Sequence, residues 1–484
     1  MGSEVNKSKI LSSLLWKLLE RSGSQGVQFV VQVILARLLL PQEYGIIAIV
    51  MVFVLLANVF VQSGFNTALI QKKEVDELDF SSVFYLSLGV AGLLYGLIFL
   101  GAPFIASFYS QPMLVPVLRV VSLTLFIGAL NSVQNAYVAR HMLFKRLFVS
   151  SLGAVLVSGL VGIAMAFYGL GVWALVAQQL TNQLVIAMIL WFTVKWRPHL
   201  LLSLKRLKVL FDYAGKLIAS ALIDTLYRDL SALIIGKMYV PAMLGFYNRG
   251  RQFPELMVTN INGSIQSVML PALSAHQEDR KRVKEMMRRA IVSSSFLIFP
   301  MMVGMAVVAR PLVLVLLTDK WLPAVPFLQI ACLTYALMPI HTANLQAINA
   351  MGRSDIFLKL EVIKKIYGLI ILGVSLPFGV YAIALGQGVN SLISSFVNAY
   401  PNKRLLNYSY REQLMDIMPA LFISGLMGGL IYGFYLLKMQ AGLLLLVQVG
   451  AGLIIYIGLA MVFKIECFNY LVTTMKQLLE KRKD

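Results

Sequence analysis

Apolar residues run through this chain in blocks of about 20 or more, the length a helix needs to cross a bilayer, with short polar stretches between them. Fourteen blocks are legible. The first half gives 14–38, 44–68, 82–104, 114–137, 148–168 and 172–194; the second gives 212–236, 244–271, 290–316, 325–350, 358–376 and 381–400; two more follow at 416–437 and 442–463. Polar positions inside the blocks fall at helical spacing. In the first span Glu20, Ser24, Gln28 and Gln32 are each four apart and make one stripe. The seventh span carries Lys216, Ser220, Asp224 and Arg228 in the same rhythm, extended by Ser231. The second span has Asn58, Gln62 and Asn66, and the eighth has Asn262 and Gln266. Polar groups facing lipid are costly, so these faces predict a shared wet cavity. For the amides, hydrogen bonding between packed helices accounts for the pattern equally well.

Composition agrees with the blocks. Hydrophobic residues make up 59% of the 484 and charged residues 13%, about half the globular norm of roughly 25%. A set of soluble domains is excluded, because too few charges are present to cover them. Lys and Arg number 42 against 22 Asp and Glu, and the excess is distributed unevenly. Alternate connections hold the basic clusters, among them Lys72–Lys73, Arg140–Lys145–Arg146, Arg280–Arg289 and Lys403–Arg404, while the opposite set holds little beyond Lys237, Lys320 and Lys438. The positive-inside rule therefore puts both termini in the cytoplasm. It also explains the basic run from Asp279 to Arg289 as a topology anchor, with no nucleic acid as a partner. In the tail, Phe468, Leu471, Val472, Met475 and Leu479 share one face and predict an interfacial amphipathic helix over 464–484. Lys17, Glu20 and Arg21 interrupt the region a cleavable signal would need to keep apolar. Two cysteines give no disulfide framework, the four histidines are scattered, and no catalytic, cofactor or metal motif is present. The expectation is a protein that is not an enzyme and needs no cofactor.

An internal repeat organises the spans. Arg37, Pro41 and Gly45 recur as Lys237, Pro241 and Gly245; Pro116, Leu118, Leu123 and Thr124 as Pro326, Leu328, Leu333 and Thr334; Gly171, Val172, Ala174, Gln179 and Asn182 as Gly379, Val380, Ala382, Gln387 and Asn390. The offsets stay within ten residues of one another, at 200, 210 and 208. Six spans per repeat preserve orientation, so the halves should be related by an axis along the membrane normal. The expected fold is an all-α integral membrane protein of fourteen transmembrane helices. Two six-helix lobes, 1–204 and 205–405, form a parallel pseudo-twofold repeat, followed by two helices over 406–463 and the tail.

Charged residues within the spans are mostly basic. Arg21, Lys216, Arg228, Arg249 and Arg251 are the candidates for a binding cavity, with Gln28 and Gln62, and the surplus of guanidinium points to an anionic ligand because Arg binds phosphate bidentately. Asp224, Asp229 and Glu255 are the candidates for ion coupling. Asp224 and Arg228 stand at i and i+4, acid first, a favourable spacing for an ion pair.

Six segments carry a family resemblance: ARLLLPQEYGI (36–46), GLGVWALV (169–176), IIGKMYVPAMLGFYNRGRQFP (234–254), VMLPALSAHQED (268–279), DKW (319–321) and AMGRSDIFLK (350–359). In order and spacing the chain resembles the polysaccharide-transporter branch of the multidrug/oligosaccharidyl-lipid/polysaccharide (MOP) superfamily, and within it the Wzx- and teichuronic-acid-type exporters, over about residues 10 to 465. The resemblance implies a flippase that carries undecaprenyl-diphosphate-linked oligosaccharide to the outer leaflet of the bacterial cytoplasmic membrane. Its partners would be that lipid-linked substrate, membrane lipids and a polymerase or export complex. In the related lipid II flippases basic residues on the first and eighth helices meet the diphosphate, and the nearest positions here are Arg21 and Arg249 or Arg251. The alternative is a multidrug or cation antiporter of the same superfamily, for which an acid-dominated cavity would be expected.

Overall fold

The computed structural model describes residues 7–72, 75–468 and Thr473, with side chains of the first helix from Gly23 onward. Among the described residues the structure is helical and contains no strand. The helices are α1 (Lys7–Leu38), α2 (Pro41–Asn58), α3 (Gly64–Gln71), α4 (Glu77–Tyr109), α5 (Leu114–Val121), α6 (Thr124–Arg140), α7 (Phe144–Phe167), α8 (Val172–Thr193) and α9 (Leu204–Met238). They continue as α10 (Pro241–Ser274), α11 (Arg280–Val307), α12 (Ala309–Leu316), α13 (Val325–Ala336), α14 (Met338–Ala350), α15 (Ser354–Ser375), α16 (Val380–Leu405), α17 (Tyr410–Tyr432) and α18 (Ala441–Val462). Every apolar block lies on a helix or on two helices in tandem. Short breaks at Ser122–Leu123 and Leu337 divide two blocks, and a π-helical stretch, Val59–Ser63, joins α2 to α3.

Ten described segments are long and apolar enough to cross a membrane. The four predicted spans outside that set lie on α1, α9, α10 and α15. These helices carry the polar stripes and intramembrane charges read from the sequence. The chain is a multi-pass membrane protein. Leu93, Leu97, Leu100, Leu446, Leu453 and Ile454 are all more than half exposed, as side chains bathed in acyl chains should be.

Helix ends follow local chemistry. Pro41 starts α2 at a position whose N–H would be unpaired anyway. Asp76, Ser203, Asp279 and Ser409 cap α4, α9, α11 and α17 through side-chain oxygens that accept from Asp79, Arg206, Arg282 and Glu412 N–H groups. Gly171 and Gly379, at φ 57° and 97°, turn the chain into α8 and α16, where a side chain would be strained. Boundaries recur at the repeat offset: α1 ends at Leu38 and α9 at Met238, and α2 and α10 start at Pro41 and Pro241.

The chain packs as two compact units, Met1–Gly245 and Phe246–Asp484. In the first, Val31 and Leu35 of α1 and Leu39 just after it pack with Ala166, Ala174 and Leu175, and a second core gathers Leu69, Phe84, Val133, Leu190, Trp196 and Ile218. Helix α9 packs in this unit, against α2, α3 and α4. The linker before it is fastened to the first turns of α4. The Trp196 indole donates to Glu77 (2.7 Å), the His199 and Ser203 N–H groups donate to Ser81 and Ser82 hydroxyls (3.1 and 3.0 Å), and Arg206 pairs with Asp76 (2.6 Å). The observed units thus divide at 245/246, whereas the sequence repeat divides near 204/205.

In the second unit Met287, Ile291, Phe299, Ile340, Ala347, Tyr408 and Ile417 join α11, α14 and α17. After α18 the chain returns to that bundle: Arg288 bonds both Asp416 (2.9 Å) and Glu466 (3.1 Å), and Tyr408 donates to Asp416 (2.6 Å). Phe468 belongs to this docked segment. Of the predicted amphipathic helix, 469–472 and 474–484 lie outside the described residues.

Candidate functional site

The candidate residues fall into two groups, one in each unit. In the first unit α9 presents Lys216, Asp224 and Arg228 as exposed side chains along one side. Arg228 is 62% exposed and pairs with its sequence neighbour Asp229, Nη2 to Oδ2 at 3.4 Å. The spacing had suggested Asp224 as its partner. Gln28 is exposed on α1, while the side chain of Arg21 lies outside the described part of that helix.

Gln62 takes part in helix packing. It sits in the π-helical stretch, donates to Asn58 Oδ1 at 3.1 Å, and lies so close to α6 that a Cβ built on Gly128 would stand 2.5 Å from its amide nitrogen. Asn66 accepts from Ser132, also on α6, at 2.8 Å. The amide stripe of the second span therefore meets a neighbouring helix, the interhelical use of polar side chains that membranes favour.

In the second unit the sequence Arg249-Gly250-Arg251 on α10 is seated against α13. A Cβ on Gly250 would lie 2.7 Å from Phe327 Cβ and 2.8 Å from the Ala324 carbonyl, so only glycine allows this approach. With Gly250 facing α13, the two arginines are turned to either side by the helical step of about 100°. Arg251 donates to the Tyr247 hydroxyl (2.9 Å) and to the Tyr335 hydroxyl (3.4 Å), its guanidinium 5.2 Å from the Tyr247 ring centre. Glu255, one turn on, acts electrostatically on the same Arg251–Tyr335 pair. Arg249 is 6% exposed, bonds Gln252 Oε1 at 2.5 Å and lies 5.6 Å from the ring of the fully buried Trp321. The Tyr247 and Tyr335 hydroxyls hold the Arg251 guanidinium, and the Gln252 amide and the Trp321 ring lie against that of Arg249.

Sequence reasoning missed Tyr247, Gln252, Trp321 and Tyr335. Tyr247 precedes Arg251 by one helical turn and Gln252 follows Arg249 by three, so both were within reach of a spacing argument. Tyr335 and Trp321 arrive through tertiary packing and left no local signal.

The starts of α2 and α10 form a further contact, within the first unit. A Cβ on Gly45 would fall on the Pro241 carbonyl, and one on Gly245 would fall on the Pro41 carbonyl. Two repeat-related Pro-x-x-x-Gly segments thus lie backbone to backbone. Beside them Lys237 donates to the Phe108 carbonyl and stands 4.4 Å over the Phe108 ring, and Tyr109 donates to the Leu233 carbonyl at 3.4 Å.

Comparison with known proteins agrees with this architecture. Teichuronic acid biosynthesis protein TuaB of Bacillus subtilis is 26% identical over 415 residues, 83% of this chain and 85% of the relative. Lipopolysaccharide biosynthesis protein WzxC of Escherichia coli is 23% identical over 426 residues, 86% of each. Among solved structures, the lipid II flippase MurJ in an inward closed conformation superposes with a TM-score of 0.75 at 14% identity, covering 94% of this chain and 98% of that one. At that identity the likeness shows the fold. The family model described as polysaccharide biosynthesis protein matches residues 34–326, well over half of the sequence, and the chain belongs to that family.

Proposed function

We propose that the protein is a flippase carrying undecaprenyl-diphosphate-linked oligosaccharide (an O-antigen, capsule, exopolysaccharide or teichuronic acid unit) from the cytoplasmic to the outer leaflet of the bacterial cytoplasmic membrane. The observation that carries this is the arginine pair of α10, Arg251 held by two tyrosine hydroxyls and Arg249 by Gln252 beside the Trp321 ring, in a membrane helix that bears one carboxylate, Glu255. A site of that sign suits an anionic diphosphate head. It is poorly suited to the cationic substrates of a multidrug antiporter, the alternative that the same fold would allow.

On this reading fourteen helices cross the membrane, both termini are cytoplasmic, and repeats 1–204 and 205–405 rock to expose one cavity alternately to each side. Arg21, Arg228, Arg249 and Arg251 hold the diphosphate, Lys216, Gln28 and Gln62 line its surroundings, and Asp224, Asp229 and Glu255 are the groups for ion coupling. The polyprenyl tail stays in lipid beside α17 and α18, so only the polar head needs a shielded path. A polymerase or export complex would take the delivered unit. Flipping of a fluorescent undecaprenyl-diphosphate glycan in proteoliposomes tests the reading. Wild-type rates in alanine variants at all four arginines, with insertion verified, would eliminate this diphosphate site.

A further inference from the structure

His341 lies in α14, partly buried against α16. Its Nε2 stands 3.2 Å from the Ser391 hydroxyl, and its Nδ1 stands 3.1 Å from Nδ2 of Asn398. The partners fix the protonation state. Ser391 donates its own proton to the Thr334 carbonyl at 2.8 Å, so its oxygen accepts from Nε2–H. The Asn398 amide nitrogen can only donate, so Nδ1 must accept with a bare lone pair. The ring is therefore neutral. Asn398 is 1% exposed, and its carbonyl oxygen Oδ1 is buried without any hydrogen-bond partner.

We propose that His341, Ser391 and Asn398 form a proton-binding site. Nδ1 takes a proton from water, and the Asn398 carboxamide turns half a revolution about its terminal torsion so that Oδ1 accepts the new N–H. Both protonation states then have a full set of partners around the ring without movement of the backbone. Nε2–H keeps Ser391 throughout.

The electrostatic surroundings limit which groups can oppose this. Elements α11, α13, α15 and α16 pack on α14. Lys364 of α15 is the charge acting on the imidazole, and it is paired with Glu361 at 2.5 Å. Among the described residues no carboxylate or cation of α11, α13 or α16 adds to it. A separate chain of buried amides begins one turn beyond Asn398. Asn402 donates to Asn344 Oδ1 (2.7 Å), Asn344 donates to Gln413 Oε1 (2.7 Å), and Gln413 donates to the Tyr408 carbonyl (3.5 Å). The ring is nine residues from the end of α14 at Ala350, roughly 14 Å along the helix. A proton bound there lies well within the span.

Histidine-selective ¹³C/¹⁵N labelling of the purified full chain in nanodiscs provides the test, with His341→Gln identifying one signal among four. The expected result is a His341 resonance that titrates reversibly and is lost in that variant. Asn398→Asp, which offers Nδ1 a carboxylate, should raise the midpoint by roughly 1–3 pH units; Asn398→Leu, which offers no acceptor, should lower it. A His341 signal that stays in one form throughout, readable on wild-type protein alone, would overturn the proposal, as would an unmoved midpoint in a correctly inserted Asn398→Asp protein. Neither readout involves glycan transport, so this site and the flippase reading can fail independently.

Discussion

At the scale of single residues, what matters at each arginine is what holds it. Arg251 is oriented by two phenol oxygens, and its N–H groups are fixed before any ligand arrives. Arg251→Ala should slow flipping about tenfold to a hundredfold, since a charge-assisted hydrogen bond contributes roughly 1.5–3 kcal/mol, and Arg251→Lys should recover little because an ammonium cannot reproduce the planar fork. Tyr335→Phe keeps the charge and loosens its aim, so it should raise the apparent KM with a smaller change in the limiting rate. A glycan-flipping assay across substrate concentration separates these outcomes. At the exposed Arg228, where the role is the charge itself, Arg228→Lys should stay near wild type while Arg228→Ala does not. Acid sensitivity is also a matter of single side chains. The Arg288 guanidinium, hydrogen-bonded to Glu466, holds that carboxyl below the ordinary glutamate range. A depressed carboxyl contributes its stability above the ordinary value and loses it as pH falls through the lowered one. Hydrogen-exchange protection of 465–468 should therefore decline only below the ordinary glutamate range, and Glu466→Gln should show weaker protection at neutral pH with that acid step gone.

Among the elements, the clasp between the starts of α2 and α10 makes the sharpest claim. Any side chain at Gly45 collides with the Pro241 carbonyl, and backbone atoms cannot swing aside as a flexible side chain can. Ile49, fully buried one turn beyond Gly45, packs so near α9 that a Cβ on Gly236 would stand 2.9 Å from it. In a Gly45→Val background, Ile49→Cys should react with a thiol reagent, whereas in the wild-type background it should be protected; protection in both would mean that the clasp does not control this contact. The proline and glycine of each Pro-x-x-x-Gly segment were legible in the sequence, and so were Gly171 and Gly379, because punctuation is local chemistry. The apolar blocks found the helices for the same reason. Tandem breaks at Ser122–Leu123 and Leu337 and the π-helical stretch were invisible, since they leave average hydropathy unchanged. The packing role of Gln62, the Asp229 partner of Arg228 and the partners of His341 depend on which helices become neighbours, which period and composition do not encode.

For the molecule as a whole, the recurring helix boundaries raise the question of how the repeats are oriented. Six spans separate equivalent positions on the proposed reading, and an even number returns the chain to the same side; an inverted repeat would need an odd number. The turns before α8 and α16 offer equivalent reporters, Tyr168 and Phe378, at 84% and 76% exposure. Lys145 and Asp355, both exposed and 210 residues apart, lie at the starts of α7 and α15. The native cysteines, Cys332 and Cys467, are both buried and should give little background. Cysteines at Tyr168 and Phe378 should both react with an impermeant maleimide applied to intact cells, while those at Lys145 and Asp355 should both require permeabilisation. The basic clusters at Arg140–Arg146 and near Arg353 place the second pair inside, and the sparse charge around the first pair places it outside. Labelling of Tyr168 from one side and Phe378 from the other would make the repeat inverted and would remove the rocking of two like-oriented lobes. Labelling of all four from the wrong sides would keep the parallel repeat, reverse the chain in the membrane, and turn the proposed direction of glycan transport around.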